Sequence, residues 1–263
     1  PPPPRYTRKE SSSSSDVYKR QILRGKMNQK VLLLFLVTLL PFKAISSYQS
    51  ARLTYEKYKE KNLAKLFVEM VDARLYYSAL PVAKTILINN SGALGKGLES
   101  SFTELVSVVG VKQFETLPNQ FLKYSNSDSI KYIVAKKLFR DEKLAAAISQ
   151  LKGISSSHPI YPFAKNMEAT IYSIQKKHEV AFGNFLECQR SSSNRLKRAA
   201  GILKMKLEKN RDYCIVGKAR VRYAQKKYDA ADLLYLDLPK SSGIWPEILF
   251  EEAWNSYYQN NYN

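Results

Sequence analysis

A spacing of about 34 residues recurs through the second half of this chain, and it leaves few folds open. Placing IVAKKLFRDEKLAAAISQL (133–151) over MEATIYSIQKKHEVAFGNF (167–185) aligns Ala135 with Ala169, Leu138 with Tyr172, Ala147 with Ala181, Ile148 with Phe182 and Leu151 with Phe185, every pair separated by the same interval. Placing KARVRYAQKKYDA (218–230) over EAWNSYYQNNYN (252–263) aligns Ala219 with Ala253, Tyr223 with Tyr257 and Tyr228 with Tyr262 at that interval again. A second alanine follows twelve residues after the first, at Ala147, Ala181 and Ala231, and a large residue four later, at Leu151, Phe185 and Tyr235. A period of this length marks stacked supersecondary units, none of which can bury its apolar face alone. Apolar residues recur near every 3.6 residues and strand-like alternation is nowhere sustained, so the units are helical and the fold class is all-α.

The spacing resembles the tetratricopeptide repeat, a pair of antiparallel helices in about 34 residues with small residues at the eighth and twentieth positions and a large one at the twenty-fourth. The resemblance covers about half of the chain after Ser46 and implies an α-solenoid of antiparallel helical hairpins, a tetratricopeptide-like superhelix. Ala135, Ala147, Ala169, Ala181, Ala219, Ala231 and Ala253 are then the packing positions, where a small side chain lets two helix backbones approach. Tyr161-Pro162 and Trp245-Pro246 stand at equal distances before Ala169 and Ala253, with proline where a first helical turn tolerates a missing amide. At the fourth and seventh positions Lys131 and Val134, or Lys165 and Glu168, replace the family's large apolar pair, so the repeats are divergent.

Between Ala169 and Ala219 the interval exceeds the repeat by roughly the length of one helix, which predicts an inserted helix over NRLKRAAGILKMKLEKN (194–210). Its stripe of Leu196, Ala200, Leu203 and Leu207 opposes Lys197, Arg198, Lys204, Lys206 and Lys209, a pattern suited to an anionic membrane or polymer, or to a solvated basic face. Upstream, 47–130 reads as further helical hairpins, with Leu66, Met70, Ala73 and Tyr77 on one stripe of 63–87. Residues 131–263 are the repeats, the last of which supplies one helix without its partner. The natural chain is therefore expected to continue past Asn263.

DVYKRQ, at 16–21, matches the translation of a transposon-end sequencing adapter codon for codon, and the serines and prolines before it are low-complexity. Residues 1–26 are read as an artefactual or disordered tail, and the protein is expected to begin at Met27. From there Lys30, the apolar run Val31–Leu40 and the small residues Ala44 and Ser46 give the layout of a secretory signal peptide over 27–46. The apolar run falls short of the roughly 20 residues of a transmembrane helix. Export to the periplasm or cell envelope follows, with an uncleaved membrane anchor as the alternative.

The first 26 residues carry a surplus of five positive charges and Lys30 and Lys43 two more, so the +19 of the whole chain falls to +12 after Ser46. Such a field favours anionic partners. In an exported protein these are acidic proteins or peptides, or an anionic envelope surface, rather than nucleic acid. Cys188 and Cys214 are either a disulfide pair or two buried thiols, since count alone does not decide.

No P-loop, Gly-rich dinucleotide turn or Ser/His/Asp set is present, so no catalytic residue, cofactor or metal site is expected. ESSF (99–102) resembles the Glu-Ser-x-Phe of lytic transglycosylases, which would make Glu99 a general acid of raised pKa, but that family's downstream motif is missing. His158 and His178 are expected to lie solvated in loops, without ligands at metal spacing. Tyr223, Tyr257 and Tyr258 are the candidate partner-binding aromatics, residues that supply rigid amphipathic contact area. The expected function is a non-enzymatic scaffold for protein–protein interaction in the cell envelope. The alternative is the solenoid portion of an envelope hydrolase, such as a lytic transglycosylase, whose catalytic domain lies outside this sequence.

Overall fold

A computed structural model describes residues 62–260 apart from 91–93, 96 and 123–126, together with Gln49, Arg52, Leu53, Tyr55 and Glu56. The chain divides into two units, Pro1–Ser46 and Ser47–Asn263, and every described residue belongs to the second. The tail and signal-peptide readings therefore lie outside the described residues.

Among the described residues all regular structure is helical: α1 (Leu63–Asp72), α2 (Tyr76–Asn89), α3 (Glu99–Val109), α4 (Asp128–Arg140), α5 (Leu144–Lys152), α6 (Tyr161–Ile174), α7 (His178–Leu196), α8 (Gly201–Ala224), α9 (Tyr228–Leu236) and α10 (Trp245–Tyr258). Two 3-10 turns, Val111–Phe114 and Asn119–Phe121, follow α3. Each helix packs chiefly on its neighbours in sequence, and α6 also meets α8.

Four turns between paired helices share one geometry. Arg74, Glu142, Lys176 and Lys226 each adopt φ near +60°, as does Asn260 after α10. The residue after each of the first four donates its amide to a carbonyl five positions back, Leu75 to Met70, Lys143 to Leu138, Lys177 to Tyr172 and Lys227 to Arg222, at 2.8–3.0 Å. This is the Schellman closure, which satisfies carbonyls left unpaired at a helix end. Glu142, Lys176, Lys226 and Asn260 follow one another at the same intervals as Ala135, Ala169, Ala219 and Ala253, each standing seven positions after its alanine. The turn at Arg74 also ends the expected stripe of 63–87. Leu66 and Met70 are buried, Ala73 sits in the turn, and Tyr77 is exposed.

Ala135, Ala147, Ala169, Ala181, Ala219 and Ala231 are all completely buried. Ala253 departs from the expectation and is exposed, because α10 buries only Ile248 and Asn255, and the face bearing Ala253 has no described helix against it. The prolines stand in the first turn of α6 and of α10. Where large apolar residues were missing, ion pairs occupy the positions. Lys165 meets the buried Glu168 at 2.7 Å, and Lys131 meets Asp128 at 2.8 Å and the carbonyl of Gly153 at 2.9 Å.

The expected inserted helix over 194–210 does not exist as a unit. The additional residues lengthen α7 to Leu196 and start α8 early at Gly201, with a turn between, so the stripe from Leu196 to Leu207 is broken. Among the described residues three buried clusters follow one another along the chain. One runs from α1 to α6, a second joins α6, α7 and α8 around Phe185 and Cys188, and a third joins α8, α9 and α10 around Tyr235 and Ile248. In the second, Gly217 leaves room for Phe185: a Cβ there would lie 2.5 Å from its ring, which would have to shift.

Candidate functional site

The early start of α8 has a consequence beyond packing. Its first turns lie beside α3, α4 and α6 and line with them an open cavity of about 800 Å³. Lys206 fastens this extension by donating to the carbonyls of Ser107 and Val108, at the C-terminal end of α3, where a cation also meets the negative end of the helix dipole. The N-terminal half of α8 is tied to α6 and α7 as well. Asn166 donates to Asn210 at 2.9 Å, Asn210 donates to Ser192 at 3.1 Å, and a disulfide joins Cys188 to Cys214 with Cα atoms 6.1 Å apart. The open question of the two cysteines is thus answered by the fold, which brings α7 and α8 side by side.

Val106, Val111, Tyr132, Ile160, Phe163 and Leu203 give the cavity apolar walls. Its polar groups fall into two sets. Glu99 accepts from His158 Nε2 at 3.1 Å and from the amide of Ser129 at 3.3 Å. Thr103 donates to the Glu99 carbonyl at 2.7 Å and lies 2.8 Å from the hydroxyl of the buried Ser129. Burial alone pushes the Glu99 carboxyl up, but hydrogen bonds from His158, Ser127 and the Ser129 amide outweigh it and hold the group below its ordinary value. The other set is cationic. Lys136 lines the cavity with its ammonium 5.9 Å from the centre of the Tyr132 ring, and burial lowers its pKa. Lys206, on the strap, is lowered by the same cause.

The lowered pKa of Glu99 runs against its general-acid reading, which expects a carboxyl of raised pKa. His158 is not arranged as the base of a Ser/His/Asp set. Glu99 and Thr103 both address Nε2 of His158, while Nδ1 accepts from the amide of Ile160 at 3.3 Å, so no second nitrogen is left to take a proton from a hydroxyl. His158, expected to be solvated, is instead three-sided in its partners. Arg195 closes over the same loop by donating to the carbonyls of Ser156 and His158 at 2.8 and 3.0 Å. His178 begins α7 and lines a separate cavity of about 280 Å³ with Asn166, Thr170, Phe185, Gly217 and Arg220, and its buried Nδ1 has no partner. Among the described residues no three His, Cys, Asp or Glu side chains are grouped to hold a metal ion.

The predicted aromatics come together elsewhere. Tyr223 of α8 meets Tyr228 at the start of α9 at 5.5 Å and Tyr258 at 6.0 Å, and Tyr228 stacks on Tyr258 at 5.3 Å. Trp254 joins Tyr258 to Tyr257 and Phe250, all centroids within 6.3 Å of a neighbour. Tyr257 and Tyr258 are about half exposed and Phe250 is 69% exposed, whereas Tyr223 is partly covered and serves as the base of the cluster. Tyr235 is core, with its hydroxyl donating to Glu251 at 3.1 Å. The repeat pairs Tyr223 with Tyr257 and Tyr228 with Tyr262 but pairs no aromatic with Trp254 or Phe250, so the period gave no signal for those two. The cavity escaped sequence reading because its cations and acids are far apart in sequence.

Among the described residues no helix is long and apolar enough to cross a membrane. Compared with known protein families, with curated proteins and with solved structures, the chain finds no match.

Proposed function

We propose that this chain is an exported, non-enzymatic scaffold that binds a protein or peptide in the periplasm or cell envelope, built as an α-solenoid of antiparallel, tetratricopeptide-like hairpins. Two features support the solenoid. The left-handed turn residues recur in phase with the buried alanines, and helix packing follows chain order, as in a structure whose repeats contact only their neighbours.

The observation that carries the binding reading is the linked aromatic surface of Phe250, Trp254, Tyr257 and Tyr258, resting on Tyr223 and Tyr228. Contiguous exposed rings of this kind mark interaction surfaces rather than ordinary solvent-facing helices, and Trp and Tyr dominate binding hot spots. The same helices carry Asp229, Asp232, Glu251 and Glu252, so contact specificity rests on the rings. The preference for an acidic segment is long-range steering by the +12 charge. Selection from a displayed library of random peptides against the chain from Ser47 onward is expected to enrich acidic, apolar-anchored sequences. Their affinity should fall tenfold or more for Trp254→Ala combined with Tyr258→Ala. Enriched peptides that bind the double variant equally well, or retention by wall polymer with no peptide enriched, overturns the proposal.

A further inference from the structure

The cavity under the start of α8 has a charge arrangement that its own residues do not complete. Both acids that line it already have partners: Glu99 holds His158 and the Ser129 amide, and Glu104 accepts from the Tyr76 hydroxyl at 2.7 Å. Lys206 is engaged with the carbonyls at the end of α3, and Arg74 stands exposed at the rim. Lys136 is left. It is half-buried on α4, packs its ammonium only against the Tyr132 ring, and faces no carboxylate among the described residues. A cation drawn out of water without a counter-charge is costly, and the deficit is the kind a bound anion makes good.

The remainder of the site matches the other half of such a ligand. Val111, Phe163, Leu203 and Ile160 offer apolar walls, and a volume of about 800 Å³ lies within the range that encloses most of a small organic molecule. Ser100, Glu104 and Ile202 are exposed where they line it, so the space reaches solvent, and Ile202 presents an apolar side chain there. The strap leading to that mouth is basic. Between Arg195 and Arg211 it carries seven cations, Arg195, Lys197, Arg198, Lys204, Lys206, Lys209 and Arg211, against the single acid Glu208.

We propose that this cavity binds a small amphipathic anion, an aliphatic body with one carboxylate or phosphate head, with the head against Lys136 and the body along Val111, Phe163 and Leu203. The site is separate from the aromatic surface and stands whether or not that surface binds a peptide. No covalent step is involved. The extension of α8 is what makes the site, because without it the apolar faces of α3, α4 and α6 here would be open.

Decanoate, decyl phosphate and decanol, each below its micelle-forming concentration, test this by titration calorimetry on the chain from Ser47 onward. Saturable binding of one equivalent is expected, with decanoate or decyl phosphate preferred over decanol by about tenfold or more. The tighter of the two anions identifies the head group. Lys136→Met, which keeps most of the unbranched side chain without its charge, is expected to abolish the preference, and Leu203→Trp to weaken all three ligands by filling the cavity. Equal affinity of the wild-type chain for anion and alcohol, absence of saturable binding, or a preference that survives Lys136→Met overturns the proposal. So does binding that is indifferent to Leu203→Trp. If Lys136→Met does not fold, as judged by its thermal melt, the comparison of anion with alcohol on the wild-type chain decides.

Discussion

Single residues set the turns of this protein. Glu142, Lys176 and Lys226 occupy left-handed backbone, which costs a residue with a Cβ about 1–2 kcal/mol. Glycine relieves that cost at the expense of some chain entropy. Lys176→Gly is therefore expected to stabilise the fold by about 0.5 kcal/mol, and Lys176→Val to destabilise it by about 1 kcal/mol or more, since a β-branched residue fits this region worst. Urea denaturation checks both signs. Gly217 is the opposite case, a glycine kept for space, and Gly217→Val is expected to cost about 1–3 kcal/mol by forcing the Phe185 ring aside. At Glu99 the folded-state pKa is depressed, so its hydrogen bonds stabilise the fold above the ordinary carboxylate range and are lost as pH falls through the lowered value. Glu99→Gln should flatten the acid side of the stability–pH curve and leave its alkaline side unchanged; a curve of unaltered shape would show that the pairing with His158 contributes nothing.

At the scale of elements, the extension of α8 is the distinctive feature. Its N-terminal half is held by Lys206 at one end, by the Asn166–Asn210–Ser192 chain in the middle and by the disulfide beyond. Cys188 and Cys214 are 26 residues apart, and closing a loop of that size in the unfolded chain is worth about 3–4 kcal/mol in the chain-entropy account. The double variant Cys188→Ser, Cys214→Ser is expected to lose about that much stability in guanidinium titration. Hydrogen exchange should rise most over 200–214, where the strap loses its tie to α7. The long interval between Ala169 and Ala219 announced additional chain here but not its form. Sequence pattern cannot separate one inserted helix from two lengthened ones, because both preserve the helical period and only the turn at Lys197–Ala200 tells them apart.

At the scale of the whole molecule, three buried clusters among the described residues succeed one another along the chain rather than merging around one centre. Stability in such an arrangement is local, so damage at one end should not reach the other. Ile248→Ala, at the core of the last cluster, is expected to cost about 2–5 kcal/mol locally and to speed amide exchange in α9 and α10. Amides of α3 and α4 should keep their protection. Uniform loss of protection along the chain would instead mean a single cooperative unit.

The recurrence of the alanines and the helical period of the apolar residues determined the helical class, the approximate helix positions and the alanines that go inside, because these depend on local backbone preference and on side-chain size. Ala253 shows the limit: it has the right residue at the right interval, yet it is exposed, since burial needs a second surface and not merely a small side chain. Tertiary structure alone decided that Cys188 meets Cys214, that Glu99 meets His158 across 59 positions, and that Lys136 lines a cavity whose two acids are paired elsewhere. Those are contacts between residues far apart in the chain, and their energies depend on distance and desolvation, quantities that a linear order of residues does not contain.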